Sequence, residues 1–119
     1  MREMKVRFPL FAFEKDDNSM FLIEEPNRLL YHLEWIDIED EEYIFWDSTG
    51  AGVHVMVKGC AIDQIQPSEQ SKSLSDAFEA YSQSRGLEIS LQGSPVEVWT
   101  RIQSQLPTKK SLWTRLLSR

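Results

Sequence analysis

The alternation of apolar and polar residues near the start of the chain predicts a β-hairpin. Residues 6–13 alternate with a period of two, and Pro9 places this segment at a sheet edge or at the start of a strand. Turn-forming residues follow, and the apolar segment 20–24 predicts the second strand. A turn centred on Asp17 and Asn18 pairs Phe13 with Leu22 and Phe11 with Glu24 on one face, and Ala12 with Ile23 and Glu14 with Phe21 on the other.

A second hairpin is predicted between residues 42 and 62, where two apolar segments flank the glycine-containing sequence TGAG. The register that best matches the side chains puts Trp46 opposite Val55 on an uncharged side, which should face the core. The other side combines a carboxylate with an imidazole, and an aromatic ring with a sulfur atom. Its predicted pairs are Asp47 with His54, Phe45 with Met56 and Tyr43 with Lys58.

Three segments carry apolar residues at helical spacing. The segment 25–36 has a proline in its first turn, which suits a helix start. The segment 73–86 begins with serines that can cap a helix and ends with a glycine. The segment 94–107 opens with a capping box formed by Ser94 and Glu97. The apolar stripe of the first segment consists of Leu29, Leu30, Leu33 and Ile36.

The alternating segment 87–92 predicts a fifth strand. The resulting order, β-β-α-β-β-α-β-α, predicts an α+β fold in which helices pack against a mostly antiparallel sheet of about five strands. We interpret residues 1–119 as a single domain, in which residues 108–119 form a basic amphipathic tail or a last helix.

The net charge of −6 argues against a general nucleic-acid-binding protein, because phosphate binding requires a basic face. The same charge favours contact with a basic protein partner. Cys60 is the single cysteine, so an intrachain disulfide is excluded and a reducing, cytoplasmic location is expected. We find neither a signal-peptide pattern nor a run of about 18 apolar residues, which disfavours contact with a membrane.

Between residues 34 and 47 the chain concentrates seven carboxylates with no lysine or arginine among them. The centre of this window, residues 37–42, is called the acidic segment below. It lacks the glycine of a calcium-binding loop, and the chain has too few histidines and cysteines for an ordinary zinc site. We therefore predict no metal and no other cofactor. Two interpretations remain, a solvated helix-to-strand connection or a surface that binds a basic partner. The predicted contact residues are Asp37, Glu39, Asp40, Glu41, Glu42, Tyr43 and Phe45.

The predicted pair of Asp47 with His54 is the one arrangement that suggests catalysis, because a carboxylate can orient an imidazole. A nucleophile is missing beside it, since Cys60 would lie roughly 20 Å from His54 along a straight strand. No phosphate-binding loop, dinucleotide-binding glycine pattern or zinc-protease motif occurs in the sequence. We therefore predict no enzymatic activity, and the alternative is a small enzyme or ligand-binding protein that uses this face.

The segment 108–119 combines four basic residues with leucines and a tryptophan, and no acidic residue follows Glu97. Such a segment can dock on its own core, fill a groove of a partner or lie on a membrane. A scaffold or peripheral membrane subunit that uses this tail is therefore a second alternative.

The segments FPLFAFEKDDNS and WIDIEDEEYIFWDSTG, in their β-β-α-β-β order, resemble small acidic bacterial proteins of the immunity type, which neutralise toxins of contact-dependent or polymorphic systems. The resemblance covers roughly the first 65 residues and rests on composition and layout. It implies a cytoplasmic, non-catalytic inhibitor that covers the active site of a toxin. Together with the acidic segment, it predicts a protein-binding module that meets a basic toxin domain as a monomer or a homodimer.

Overall fold

A computed structural model of the protein describes residues 6–106. The predicted helix stop at Pro107 and the predicted tail, residues 108–119, lie outside the described residues. Within them, a 3₁₀ turn at Pro26–Arg28 precedes the first of four helices. The helices are α1 (Leu29–His32), α2 (Trp35–Glu39), α3 (Leu74–Ser84) and α4 (Pro95–Gln105). The strands are β1 (Leu10–Glu14), β2 (Ser19–Ile23), β3 (Tyr43–Trp46), β4 (Gly52–Lys58) and β5 (Ala61–Pro67).

The five strands form one sheet in the order β2-β1-β3-β4-β5, and every neighbouring pair is antiparallel. The predicted α+β class and the predicted antiparallel sheet are therefore confirmed. β1 lies in the interior of the sheet, because it pairs with both β2 and β3. Pro9 directly precedes β1, so this proline marks the start of the strand and not an edge.

Helices cover both faces of the central part of the sheet, which gives three layers there, whereas most residues of β5 are exposed. α3 and α4 cover one face, where Phe11, Trp46 and Phe78 belong to one buried cluster. α1 and α2 cover the other face, where Leu29 and Phe45 belong to a second buried cluster. Residues on both faces of β1 are buried, which explains why this strand has a continuous apolar run.

The helices α3 and α4 begin where their sequence signals predict. Ser73 Oγ accepts a hydrogen bond from the Asp76 N–H (3.0 Å), and Ser94 Oγ accepts one from the Glu97 N–H (3.2 Å). Glu97 Oε1 accepts a hydrogen bond from the Ser94 N–H (2.8 Å), so the predicted capping box is complete. Among the described residues, no helix is long and apolar enough to cross a membrane.

The predicted register of the β1–β2 hairpin is wrong by two residues, since Phe13 faces Met20 and not Leu22. Four residues form the loop, in which Asn18 is left-handed (φ 59°) and the Asp17 side chain accepts a hydrogen bond from the next strand's first N–H (3.1 Å). A shift of two residues leaves every side chain on its predicted face. Phe11 and Phe13 therefore lie on one face, as predicted, and both belong to the core cluster on the α3–α4 side.

The predicted helix over residues 25–36 is broken into short pieces. Leu33 is extended (φ −127°, ψ 148°) and separates α1 from α2. The break allows Leu33 and Ile38 to join the same core cluster, whereas Ile36, a member of the predicted apolar stripe, is exposed. Because α2 extends to Glu39, the first part of the predicted acidic connection is helical.

The fifth strand is β5 and not the predicted segment 87–92. Gly59 (φ 62°) and Cys60 form a two-residue turn that divides the single strand predicted over residues 53–62. The segment 87–92 is irregular, and two of its carbonyl groups accept hydrogen bonds from the Arg101 guanidinium group. Its alternating apolar residues do pack against the core. The alternation thus indicates burial on one side, which does not require pairing with a strand.

Candidate functional site

The observed register of β3 with β4 differs from the predicted register by three residues. Because this number is odd, each side chain of β4 shares a face with the other set of β3 side chains than predicted. Phe45 faces Val53, whereas its predicted partner is Met56. Phe45 is packed on the α1–α2 side with 4% of its surface exposed, so its place in an exposed contact surface is wrong. Trp46 is buried on the other face, as predicted, and its indole Nε1 donates to the Lys72 carbonyl (3.1 Å).

Asp47 organises the loop that follows β3. Its buried carboxylate accepts hydrogen bonds from the Thr49 N–H (2.9 Å), the Thr49 hydroxyl (2.6 Å), the Ala51 N–H (3.2 Å) and the Arg7 N–H (3.3 Å). His54 is exposed on β4. The predicted pair of Asp47 with His54 is therefore wrong, because Asp47 lies beyond the last paired residues of the hairpin.

Other chemistry near His54 is limited in the described residues. A concavity of about 190 Å³ between β3 and β4 includes His54, Lys15 and Glu41, but Asp47 does not line it. Within residues 6–106, no three histidine, cysteine, aspartate or glutamate side chains are placed to hold a metal ion together. The arrangement that suggested catalysis is thus replaced by a structural loop.

The acidic segment begins within α2 and ends this helix with a Schellman motif. The Glu41 N–H donates to the Ile38 carbonyl (3.0 Å), and the Glu42 N–H donates to the Asp37 carbonyl (3.0 Å). Glu41 occupies the position at which helices usually have glycine, and its backbone is left-handed (φ 58°). A side chain in this conformation costs about 1–2 kcal/mol. The chain therefore accepts local strain where it carries four consecutive acids, residues 39–42.

A second acidic run, at the end of β1 and in the β1–β2 loop, lies beside this segment. Glu14 pairs with Tyr43 across β1 and β3, and the Lys15 N–H donates to the Glu42 carbonyl (3.0 Å). Because β1 and β3 are antiparallel, the end of β1 and the start of β3 meet at one end of the sheet. Both acidic runs therefore converge there. We call the converging carboxylates the acidic patch: Glu14, Asp16, Asp17, Asp37, Asp40 and Glu42.

The carboxylates of the acidic patch disfavour one another's charged forms. The pKa of Glu42 is raised above its ordinary value of 4.5, first by partial burial and then by Asp37, Asp16 and Asp40. The pKa of Glu14 is raised in the same way, by burial and then by aspartates of the patch. Lys15 has the opposite effect on the pKa of Glu42, but it is the smallest of these causes. Within residues 6–106, the six carboxylates of the patch therefore keep a net negative charge.

Tyr43 lies at the base of the acidic patch and is half-buried. Burial, followed by the charges of Glu14, Asp37 and Glu42, raises the pKa of Tyr43 to about 12. Its hydroxyl therefore stays protonated at neutral pH and can donate a hydrogen bond. The Tyr43 ring meets Phe21 edge-on at 6.3 Å, which fixes its position.

Five of the seven predicted contact residues form or border the acidic patch: Asp37, Glu39, Asp40, Glu41 and Glu42. Tyr43 lies beneath the patch, and burial excludes Phe45. Three patch acids are missing from the predicted set, Glu14 at the end of β1 and Asp16 and Asp17 in the β1–β2 loop. A signal for them exists in the acidic run EKDDN, but only the long-range pairing of β1 with β3 places that run beside residues 37–42.

No protein-family model matches the chain, and neither curated proteins nor solved structures provide a significant match. The functional interpretation therefore rests on the geometry and electrostatics of the site.

Proposed function

We propose that the protein is a non-catalytic, protein-binding module whose acidic patch binds a basic segment of a partner protein. The observation that carries this proposal is the convergence of two separate acidic runs at one end of the sheet. If residues 37–42 were only a solvated connection, nothing would favour placing the two acidic runs side by side, because like charges are more stable when they are far apart. The raised pKa values of Glu14 and Glu42 are the electrostatic result of bringing the runs together.

The backbone at Glu41 supports the same proposal. A glycine at this left-handed position would remove both the conformational strain and one negative charge. Local strain of this kind is concentrated at functional sites, where a binding partner can offset it. The sequence instead places an exposed glutamate here, next to the patch.

The chemistry of the patch defines the partner. Lysine and arginine side chains can neutralise its carboxylates, and arginine can bind a carboxylate through two parallel hydrogen bonds. A concentrated negative field also accelerates the approach of a basic partner, and salt screens this effect. We therefore expect rapid association that weakens steeply as ionic strength rises.

The immunity-type resemblance of the N-terminal half supplies a specific form of this proposal. In that form the protein is a cytoplasmic inhibitor that covers the active site of a basic toxin domain. A toxin that acts on nucleic acid needs a basic surface to bind phosphates, so this class of toxin fits the acidic patch best.

A pair of charge-matched variants tests the proposal. The patch variant carries Asp40→Lys, Glu41→Lys and Glu42→Lys, and the control variant carries Asp63→Lys, Glu69→Lys and Glu88→Lys at exposed positions outside the patch. Both variants change the net charge by the same amount. The probe is a fluorescently labelled peptide of alternating arginine and glycine, whose binding is measured by anisotropy at several salt concentrations.

We expect the patch variant to lose about tenfold or more in affinity and to show a weaker dependence on salt than the wild type. The control variant should lose much less, because its substitutions leave the converging carboxylates intact. An equal loss in the two variants would mean that only net charge attracts the peptide, and the proposal would then be abandoned.

A further inference from the structure

An open groove of about 620 Å³ lies on the α1–α2 side of the molecule. Residues 30–36 line it together with Cys60, which lies at the tip of the β4–β5 turn. Of the large hydrophobic side chains in residues 6–106, three are exposed, and two of them, Tyr31 (74%) and Ile36 (49%), line this groove. Exposed apolar side chains that share a concavity are typical of binding sites, whereas single scattered ones are common on any surface.

The Tyr31 ring is exposed, yet its neighbours hold it in place. The Arg28 guanidinium carbon lies 5.1 Å from the ring centroid, and the His32 ring meets it edge-on at 5.3 Å. His32 Nε2 in turn lies 3.5 Å from a carboxylate oxygen of Glu24. A ring that is fixed before binding loses little conformational entropy when it contacts a partner, which favours a strong contact.

The short helix α2 joins this groove to the acidic patch. Ile36 and Asp40 are four residues apart and lie on one side of the helix, and Trp35 and Glu39 are related in the same way. A rise of roughly 1.5 Å per residue places Asp40 only about 6 Å beyond Ile36 along the helix axis. Negative charge therefore borders the groove directly, close to the exposed Ile36.

We propose that this groove takes apolar side chains of a basic amphipathic segment, the same partner segment whose lysines and arginines bind the acidic patch. The inference rests on the proposed function and adds an apolar contact to it. Charge complementarity selects this occupant, because Glu34 lines the groove and the acids of α2 border it. A second copy of the chain fits less well, since each copy would bring a net charge of −6 to the interface.

Cys60 allows a direct test, because it is the single cysteine of the chain, is exposed and lines the groove. The probe is a synthetic amphipathic peptide of lysine and leucine that carries one cysteine activated as a thiopyridyl disulfide. The Cys60 thiolate attacks the peptide sulfur, which forms a mixed disulfide and releases pyridine-2-thione, whose absorbance is followed. A second peptide with serine in place of every leucine keeps the charge, and a small thiopyridyl disulfide reports the intrinsic reactivity of Cys60.

We expect the leucine peptide to react about tenfold faster than the serine peptide with the wild-type chain, after correction for the small disulfide. Ile36→Ser should remove most of this advantage. Val96→Ser is the matched control, because it replaces the third exposed hydrophobic residue, which lies on α4 and outside the groove. Equal rates for the two peptides, or an Ile36→Ser variant that behaves like Val96→Ser, would overturn the proposal.

The serine peptide separates failure of this inference from failure of the proposed function. Suppose that both peptides react faster than the small disulfide and at equal rates, and that the patch variant abolishes this gain. The acidic patch then attracts cations and the groove contributes nothing, so only the inference fails. If neither peptide reacts faster than the small disulfide, both proposals fail.

Two further outcomes would assign the groove to another occupant and overturn the inference. In one, the small disulfide reacts slowly with the wild-type chain and faster after Leu112→Ser and Trp113→Ser, which would identify the chain's own segment 108–119. In the other, dimers linked through Cys60 form without any peptide, which would identify a second copy. A reactive, monomeric wild-type chain supports the assignment to a partner segment.

Discussion

Two helices of this protein end with the same hydrogen-bonding motif but with different residues at its left-handed position. In α3 that residue is Gly86 (φ 74°), whose N–H donates to the Gln83 carbonyl (3.0 Å). In α2 it is Glu41 (φ 58°), whose N–H donates to the Ile38 carbonyl (3.0 Å). The favoured residue thus ends a helix that supports the core, and an unfavoured, charged residue ends the helix that borders the acidic patch.

The contrast extends to the two sides of the sheet. α3 and α4 have 11 residues each and begin with serine caps. α1 and α2 have 4 and 5 residues, and neither begins with a side-chain cap. Helices this short are not stable alone and depend on packing against the sheet. One side is therefore supported by local signals, while the side that carries the acids and the groove depends on tertiary contacts.

Truncation of one aromatic residue on each side should give the largest difference. Phe78→Ala removes a buried ring that meets Phe11 edge-on at 5.3 Å, so we expect a loss of about 3–5 kcal/mol in the free energy of unfolding. Tyr31→Ala removes a ring that is mostly exposed, and we expect a change within about 0.5 kcal/mol. Urea denaturation measures both values, and a large loss for Tyr31→Ala would contradict the contrast.

Exchange at the two left-handed positions should give changes of opposite sign. Gly86→Ala should lower the free energy of unfolding by about 1 kcal/mol, because a Cβ at this position has open space but an unfavourable backbone. Glu41→Gly should raise it by about 0.5–1 kcal/mol, because glycine removes the backbone strain and the charge repulsion at this position. The greater conformational freedom of glycine in the unfolded chain offsets part of this gain. Thermal and urea unfolding provide the test. Changes of the same sign would show that a side chain at the left-handed position does not have the same cost at the two helix ends.

The two helix starts provide a smaller, matched comparison. Ser94→Ala removes the side-chain acceptor of the capping box and should lower the free energy of unfolding by about 1 kcal/mol. Glu34→Ala changes the equivalent position of α2, where no side-chain cap exists, so we expect a change within about 0.5 kcal/mol. Chemical denaturation of the two variants in parallel should separate them. If Glu34→Ala is as harmful as Ser94→Ala, α2 has a local start signal after all.

The smallest effect concerns pH. Because folding raises the pKa of Glu42 above 4.5, the folded chain binds more protons than the unfolded chain between 4.5 and the raised value. Stability from this group is therefore gained as the pH falls through that window and lost as the pH rises through it. Glu42→Gln should be more stable than the wild type at neutral pH, and the difference should disappear below pH 4.5.

Urea unfolding of the wild type and of Glu42→Gln over this pH range measures that difference. Asp63→Asn is the control, because Asp63 is exposed on β5, outside the patch. A control that matches Glu42→Gln would mean that general charge, and not the patch, produces the effect.

The second hairpin explains why part of the candidate site could not be predicted. The predicted register rests on cross-strand pairs such as Asp47 with His54, each of which contributes roughly 0.2–1 kcal/mol. The observed loop instead provides three hydrogen bonds to the buried Asp47 carboxylate, and the Arg7 N–H adds a fourth, so the carboxylate is satisfied once it leaves water. This local network outweighs the pairing, and it moves Phe45 from the predicted surface into the core.

Signals that act over a few residues were predictable from the sequence. The serine caps of α3 and α4, the capping box at Glu97 and the acidic character of residues 37–42 all follow from nearest neighbours or from composition. The acidic segment supplies three acids of the patch, Asp37, Asp40 and Glu42, and the other three come from elsewhere in the chain. Its role as a contact surface stays a prediction.

The sequence by itself determined the α+β class, the two long capped helices and the presence of a concentrated acidic segment, because each depends on interactions between residues close in the chain. Only the tertiary structure decided that the end of β1 meets the start of β3, and that Cys60 reaches the groove beside Ile36. Those placements depend on strand order and register, which are set by burial of the two core clusters together. The acidic patch and the neighbouring groove therefore exist only in the folded chain.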